Sequence, residues 1–268
     1  MEEYIIYIVI GVIVALALLL AFITGAGSFF KDTFDKYDQV KNHMGVTPEQ
    51  FIVIMKEIEN VKKLEIARIE GTLTDCYVPK KKLIALSEST YQNTSVSAVT
   101  VVAHEFGHSL QHSKNAALFG LYHTTGIIFN FFARFVLIAL IVGFIMIFAT
   151  SEYIETGWTV IYGAGAVLGC GLLYKIFTIP VEYNASKRAL KILEEQRIFN
   201  QEELKMAKKV LSTAASTYVA DFLATMMGIN LIRKLRRRKY WCLLIGNIML
   251  WELSCSQVLS LQYTHNLK

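Results

Sequence analysis

The sequence predicts an α+β chain, mostly helical, with a small mixed core carried on three or four transmembrane helices. Three observations predict it: long charge-free apolar runs, helical spacing between most of them, and one short segment of alternating apolar and polar residues. Hydrophobic side chains make up 54% of the 268 residues and charged ones 18%. An average soluble chain is about 25% charged, so a modest core plus several spans fits better than one ordinary domain.

Residues Tyr4 to Ile23 carry no charge and are long enough to cross a hydrocarbon core of about 30 Å. The acidic start at Glu2 and Glu3 and the length of the run favour a retained anchor over a cleaved leader. From Lys31 to Asn115 the composition is mixed. Thr47 is a plausible N-cap for a helix beginning at Pro48, with Phe51, Ile54, Met55, Ile58 and Val61 at helical spacing. Glu65–Glu70 and Lys82–Ser87 read as short strands, and Val78-Pro79-Lys80-Lys81 as the turn that follows Cys76-Tyr77. A helix is expected to begin near Ser95 or Ser97 and to run through His108. Ile127–Ala149 and Trp158–Val181 are the next two spans, and Ala214–Ile232, which contains Asp221, is a weaker fourth.

The distribution of bases gives an orientation. Thr150–Thr156 has two acids and no bases, and Tyr183–Thr213 has seven bases. The former is expected outside and the latter in the cytoplasm, with the N-terminus outside and the mixed segment inside. A full span at 214–232 would put the run Arg233-Lys234-Leu235-Arg236-Arg237-Arg238-Lys239 outside, against the same rule; a re-entrant or surface-lying segment would remove the conflict. That run supplies much of the formal charge of +5. Beside an apolar stretch it reads as a contact with anionic membrane lipid, and nucleic acid is not expected as a partner. The cysteines Cys76, Cys170, Cys242 and Cys255 form no CxxC pair, so neither a cysteine-ligated metal nor a disulfide is expected.

Chemistry concentrates in Ala103-His104-Glu105-Phe106-Gly107-His108. Positions four apart on a helix lie on one face, about 6 Å along the axis, so His104 and His108 can offer two imidazole nitrogens to one ion. Glu105 follows the first ligand, where its carboxylate can reach a water activated by that ion and act as general base. Nitrogen and carboxylate ligands suit Zn²⁺. The bland alternative, three polar residues on an ordinary helix face, is weakened by the apolar run Ala98–Ala103: buried His and Glu without partners would cost several kcal/mol.

Two histidines need a third protein ligand. His112 extends the ladder but lies about 12 Å along the axis from His104, too far to share an ion, and His123 has no spacing argument. Glu182 is the better candidate. Pro180 suits the first turn of a new helix, on which Glu182, Ala185, Ser186 and Ala189 share a face with small neighbours, allowing close approach to the His104 helix. A capping acid early in that helix is the alternative reading of Glu182.

The chain resembles the membrane-bound neutral zinc metallopeptidases of the YugP family. The matching stretches are Gly71-Thr72-Leu73-Thr74-Asp75 with Tyr77 and Pro79, Leu86-Ser87-Glu88, and the His104–His108 motif. Beyond the spans they continue in Pro180-Val181-Glu182-Tyr183-Asn184-Ala185-Ser186-Lys187-Arg188-Ala189-Leu190, then Ala214-Ala215 with Thr217-Tyr218-Val219-Ala220. The resemblance covers about residues 1 to 232. It implies zinc held by His104, His108 and Glu182, with Glu105 as base. By similarity to the wider group containing HtpX-like and prenyl-type membrane proteases, it also implies that Lys82–Ser87 binds substrate backbone along a strand edge. Tyr240–Lys268 matches nothing in that pattern.

The expected organisation is an anchor (1–30), a zincin-like core with the motif helix (31–117), two transmembrane helices (118–182), a third-ligand helix with a further membrane segment (183–232), and a basic run with an atypical tail (233–268). The expected function is zinc-dependent endopeptidase action on a peptide or protein substrate by a multi-pass protein of the cell membrane, its core on the cytoplasmic side. A non-catalytic zinc-stabilised scaffold or adaptor is the rival; it needs the ligands but not Glu105, so Glu105 favours an enzyme. A transporter fits less well, because Arg134 and Asp221 look isolated and away from a membrane midplane.

Overall fold

The computed structural model describes residues 2–61, 63–114, 117–149 and 151–226. The basic run, the tail, Cys242 and Cys255 lie outside the described residues, as do the side chains of His123 and Arg134. Seven helices and three short strands follow in the order α1 (Glu2–Asp38), α2 (Pro48–Ile58), β1 (Glu65–Ile69), β2 (Cys76–Val78), β3 (Leu83–Ser87), α3 (Glu88–Tyr91), α4 (Val96–Ser113), α5 (Ala117–Ala149), α6 (Ile154–Glu195) and α7 (Gln201–Met226).

Local rules set most boundaries. Thr47 caps α2 by accepting the Gln50 N–H while the Gln50 side chain accepts the Thr47 N–H, with Pro48 in the first turn. Ser95 caps α4 through the Ala98 N–H and donates its hydroxyl to Asp38, which also accepts from Asn93. The end of α1 is therefore fastened to the start of α4. The expected turn after Tyr77 is a single 3₁₀ turn, Pro79–Lys81, while Val78, expected in that turn, pairs with Leu83 as the last residue of β2.

The sheet order is β1-β3-β2, with β1 parallel and β2 antiparallel to β3. This corrects the expectation that Lys82–Ser87 offers a strand edge. β3 is the central strand, all five of its residues are buried, and neighbours on both sides occupy its backbone. The free edges belong to β1 and β2. The principal core joins α2, the sheet, α4, α6 and α7 through Phe51, Met55, Ile84, Val99, Phe106 and Leu193. Phe51 and Phe106 meet edge to face with centroids 6.1 Å apart, a geometry aromatic rings prefer.

Among the described residues two helices are long and apolar enough to cross a membrane, Ile13–Asp38 and Ser151–Glu195, in place of the three or four expected. Within α5 the apolar stretch Ile138–Ala149 is shorter. The segment from 214 lies on α7, which packs against α1 and α6. α5 and α6 form a long antiparallel hairpin whose close contact depends on small residues: a Cβ on Gly143 would stand 3.0 Å from the Gly157 carbonyl, and one on Gly157 2.8 Å from that of Gly143. Van der Waals contact of this kind is what holds helices together in lipid.

Three further expectations change. Pro180 does not open a helix; it sits inside the continuous α6, where tertiary packing outweighs the hydrogen bond a proline removes. Asp221 is not isolated, because it forms an ion pair with Lys175 of α6. Cys76 is disulfide-bonded, which cysteine spacing alone does not reveal; Cys170 is free and exposed.

Candidate metal centre

α4 and α6 meet at the site, and the sequence allows them to meet closely. Gly107 faces the backbone of α6: a Cβ there would stand 2.7 Å from the Ala185 carbonyl oxygen. Glycine on α4 and alanine on α6 thus bring the two backbones near enough for the imidazoles of one to reach the carboxylate of the other. The expected small-residue face of Ala185 and Ala189 is buried at this contact.

His104, His108 and Glu182 converge there, each buried, with one ligand atom apiece inside a 4.8 Å sphere of mutual distance. Glu182 Oε2 lies 3.1 Å from His104 Nε2 and 3.3 Å from His108 Nε2. Bonds near 2 Å in a tetrahedral site place ligand atoms about 3.3 Å from one another, so the two Glu182–imidazole distances suit a zinc ion, as does the chemistry of the donor set. The capping alternative for Glu182 falls away, since the residue lies far inside α6.

The histidines are oriented through their other nitrogens. His108 Nδ1 is 2.9 Å from Gln111 Oε1, an acceptor that fixes the tautomer leaving Nε2 to face Glu182. Gln111 is itself held, donating to the Val181 carbonyl at 2.8 Å and to Asn184 Oδ1 at 2.9 Å. His104 Nδ1 lies 3.2 Å from the Ser186 hydroxyl. Tyr218, half-buried on α7, stands near Glu182, and burial, with the Glu182 and Glu105 charges, pushes its hydroxyl well above the usual phenol range. Such outer partners set ring orientation and ligand basicity in metal sites.

Glu105 stands beside this cluster rather than in it. Its Oε2 accepts the Tyr77 N–H at 2.9 Å, which ties the outer edge of β2 to the motif helix. Burial pushes its carboxyl up to about 8 against the opposing pull of His108. Burial alone would lower His108, but the Glu182 charge and hydrogen bond, with Glu105 adding to them, lift it to about 9. Burial wins at His104, whose pKa falls. Without metal, the proton of the pair therefore belongs on His108.

His112 stays out of the cluster, its Nδ1 2.7 Å from the Tyr77 hydroxyl. Sequence reasoning missed Gln111, Tyr218 and Gly107 as parts of the site. Gln111 carried a weak signal, three positions after His108 on the same helix face. Tyr218 carried only its place in a matching motif, and Gly107 only its place inside the histidine motif.

Residues 9–237 match the family described as "Putative neutral zinc metallopeptidase". The chain is 31% identical over 200 residues to "Putative membrane protease YugP" of Bacillus subtilis (strain 168), a match covering 74% of this chain and 84% of that protein. No solved structure matches the chain. With buried His104, His108 and Glu182 gathered as a zinc-compatible donor set inside the matched span, the chain belongs to the neutral zinc metallopeptidase family.

Proposed function

We propose that the protein is a membrane-embedded zinc-dependent endopeptidase with a core of the zincin type, α6 crossing the bilayer and delivering Glu182 to the site. The convergence of three buried ligand atoms, with Glu105 immediately beside them, carries this reading. His104, His108 and Glu182 would hold zinc, and zinc there supplies Lewis-acid activation of water and of the peptide carbonyl. Glu105 takes the proton of the attacking water and returns it to the leaving amine. Burial raises its pKa in the metal-free protein, which favours the protonated form that returns the proton to the leaving amine. The Tyr77 N–H holds one carboxylate oxygen in place and leaves the other for the proton.

Tyr77 also ties the sheet to the site: its N–H points away from β3 and is donated to Glu105, so β2, not β3, borders the reacting groups.

The test is cleavage of an unfolded protein in mild detergent by the wild type and by Glu105→Gln at matched zinc content. Loss of activity with zinc retained supports metal-assisted hydrolysis with Glu105 as base. Equal activity in both assigns the cleavage elsewhere. If neither cuts a broad substrate panel while both hold zinc, the metal pins helices together and the scaffold reading takes over.

A further inference from the structure

Away from the metal centre, five lysines gather at one end of the sheet. Lys56, Lys63, Lys80, Lys81 and Lys82 line an open cleft of about 700 Å³, in which Glu65 is the one acid among the described residues. Among the described residues none of the five joins an ion pair. Lys82 has φ 50° and ψ 50°, a left-handed conformation that favours glycine, yet a lysine stands there. The Lys82 N–H donates to the Pro79 carbonyl, and its own carbonyl accepts the Glu65 N–H. Three consecutive lysines are thus presented on a fixed turn rather than a loose loop.

Helix directions place the cleft. Along α4 the contacts with α6 run from His104 opposite Ser186, through Gly107 at Ala185, to Gln111 at Val181. The C-terminal end of α4 therefore advances toward the half of α6 where Leu168, Leu173, Ile176 and Phe177 are exposed. At that end Lys114 pairs with Glu59 at 2.8 Å, fixing the end of α2 just before the loop that carries Lys63. The Tyr77 hydroxyl meets His112 at the same end, two residues before the Pro79–Lys81 turn. The cleft thus belongs to the end of the core from which apolar helices emerge.

We propose that this cleft seats the phosphate-bearing headgroups of anionic lipids and so holds the core, with its metal site, against the membrane surface. Uncompensated lysines beside a bilayer are drawn to anionic lipid, each contributing about fivefold in affinity. A cleft rather than a flat patch lets several ammonium groups surround one headgroup. The proposal rests on the reading that α6 crosses a bilayer and is independent of whether the protein cuts peptides.

The test uses the full chain in nanodiscs of phosphatidylcholine alone or mixed with phosphatidylglycerol, labelled with a water-soluble amine-acylating reagent and read by mass spectrometry. The five lysines are expected to label several-fold more slowly in the anionic discs, with high salt removing most of the protection. Lys191 and Lys208, exposed on the last turns of α6 and on α7, are expected to label alike in both. Native mass spectrometry should show the K80Q/K81Q/K82Q variant losing phosphatidylglycerol retention, by about fivefold per lysine. Equal labelling in both discs, or protection that extends equally to Lys191 and Lys208, overturns the proposal. So does protection by inorganic phosphate in detergent, or by polyglutamate, without protection in anionic discs; the first would mark a free-anion site and the second a seat for acidic protein segments. A chain that stays out of the discs overturns the membrane reading itself, and this proposal with it.

Discussion

Two buried carboxylates sit in the same core with opposite surroundings. Asp75 faces donors only: it accepts the Ser87 N–H at 2.8 Å and the hydroxyls of Ser87 and Thr90 at 3.0 Å. Glu182 faces two imidazoles that can either donate or ligate. Burial raises the Asp75 pKa and its three donors only partly offset that, so its network is complete without a metal and fastens the residue before β2 to the junction of β3 and α3. The Glu182 cluster is complete only when something with positive charge sits between the rings, a proton on His108 or a metal ion. The difference teaches that burial of an acid does not by itself mark a site. What marks it is whether the partners hold a lone pair in reserve.

Breaking each cluster should therefore give a different phenotype. Glu182→Ala is expected to lower zinc affinity by more than the factor of about 10–100 typical of an outer-shell change, as read by competition with a chromogenic chelator. Asp75→Ala leaves the Ser87 N–H and two hydroxyls without their acceptor and should destabilise the protein by about 3 kcal/mol. Zinc affinity per folded molecule should stay unchanged; a parallel loss of zinc would break the comparison. Gln111→Ala frees the His108 ring, and a fall of about 10–100-fold in zinc affinity is expected, with the far-ultraviolet spectrum of the wild type retained.

A further effect is one of pH. In the metal-free protein His108 titrates near 9 and Glu105 near 8, both above their ordinary values of 6.5 and 4.5. Each favours the folded state while protonated, so each contribution is full below the ordinary value and is lost as pH rises through the folded one. Thermal stability without metal should accordingly fall between about pH 6.5 and 9 for His108, and between about 4.5 and 8 for Glu105. The lowered His104 acts in the opposite sense, but chiefly below 6.5. With zinc bound the slope should flatten, because the ion takes the place of the His108 proton. An equal slope with and without zinc would place the titrating groups outside the cluster.

The two clusters were not equally legible in the sequence. His104 and His108 are four apart on one helix, so local periodicity alone places them on one face, and β1, β3 and the Thr47 cap follow from equally local rules. Asp75 gave no such signal, because its partners Ser87 and Thr90 come from another strand and its following helix. Glu182 was legible only in part: the small residues around it were visible, whereas the proline before it pointed to a helix start that the fold does not use.

What the sequence determined by itself is whatever a few consecutive residues can enforce: the motif helix with two stacked imidazoles, the capped α2, strands β1 and β3, and the apolar runs. Tertiary structure alone decided the rest. It set β3 in the middle of the sheet, joined Lys175 to Asp221, closed α4 on α6 at Gly107, and brought Gln111 against His108 and Tyr218 near Glu182. The physical reason is range. Helix and strand periods act over a few residues, while these contacts join positions dozens of residues apart, and which of the available partners meet is chosen by packing of the whole core.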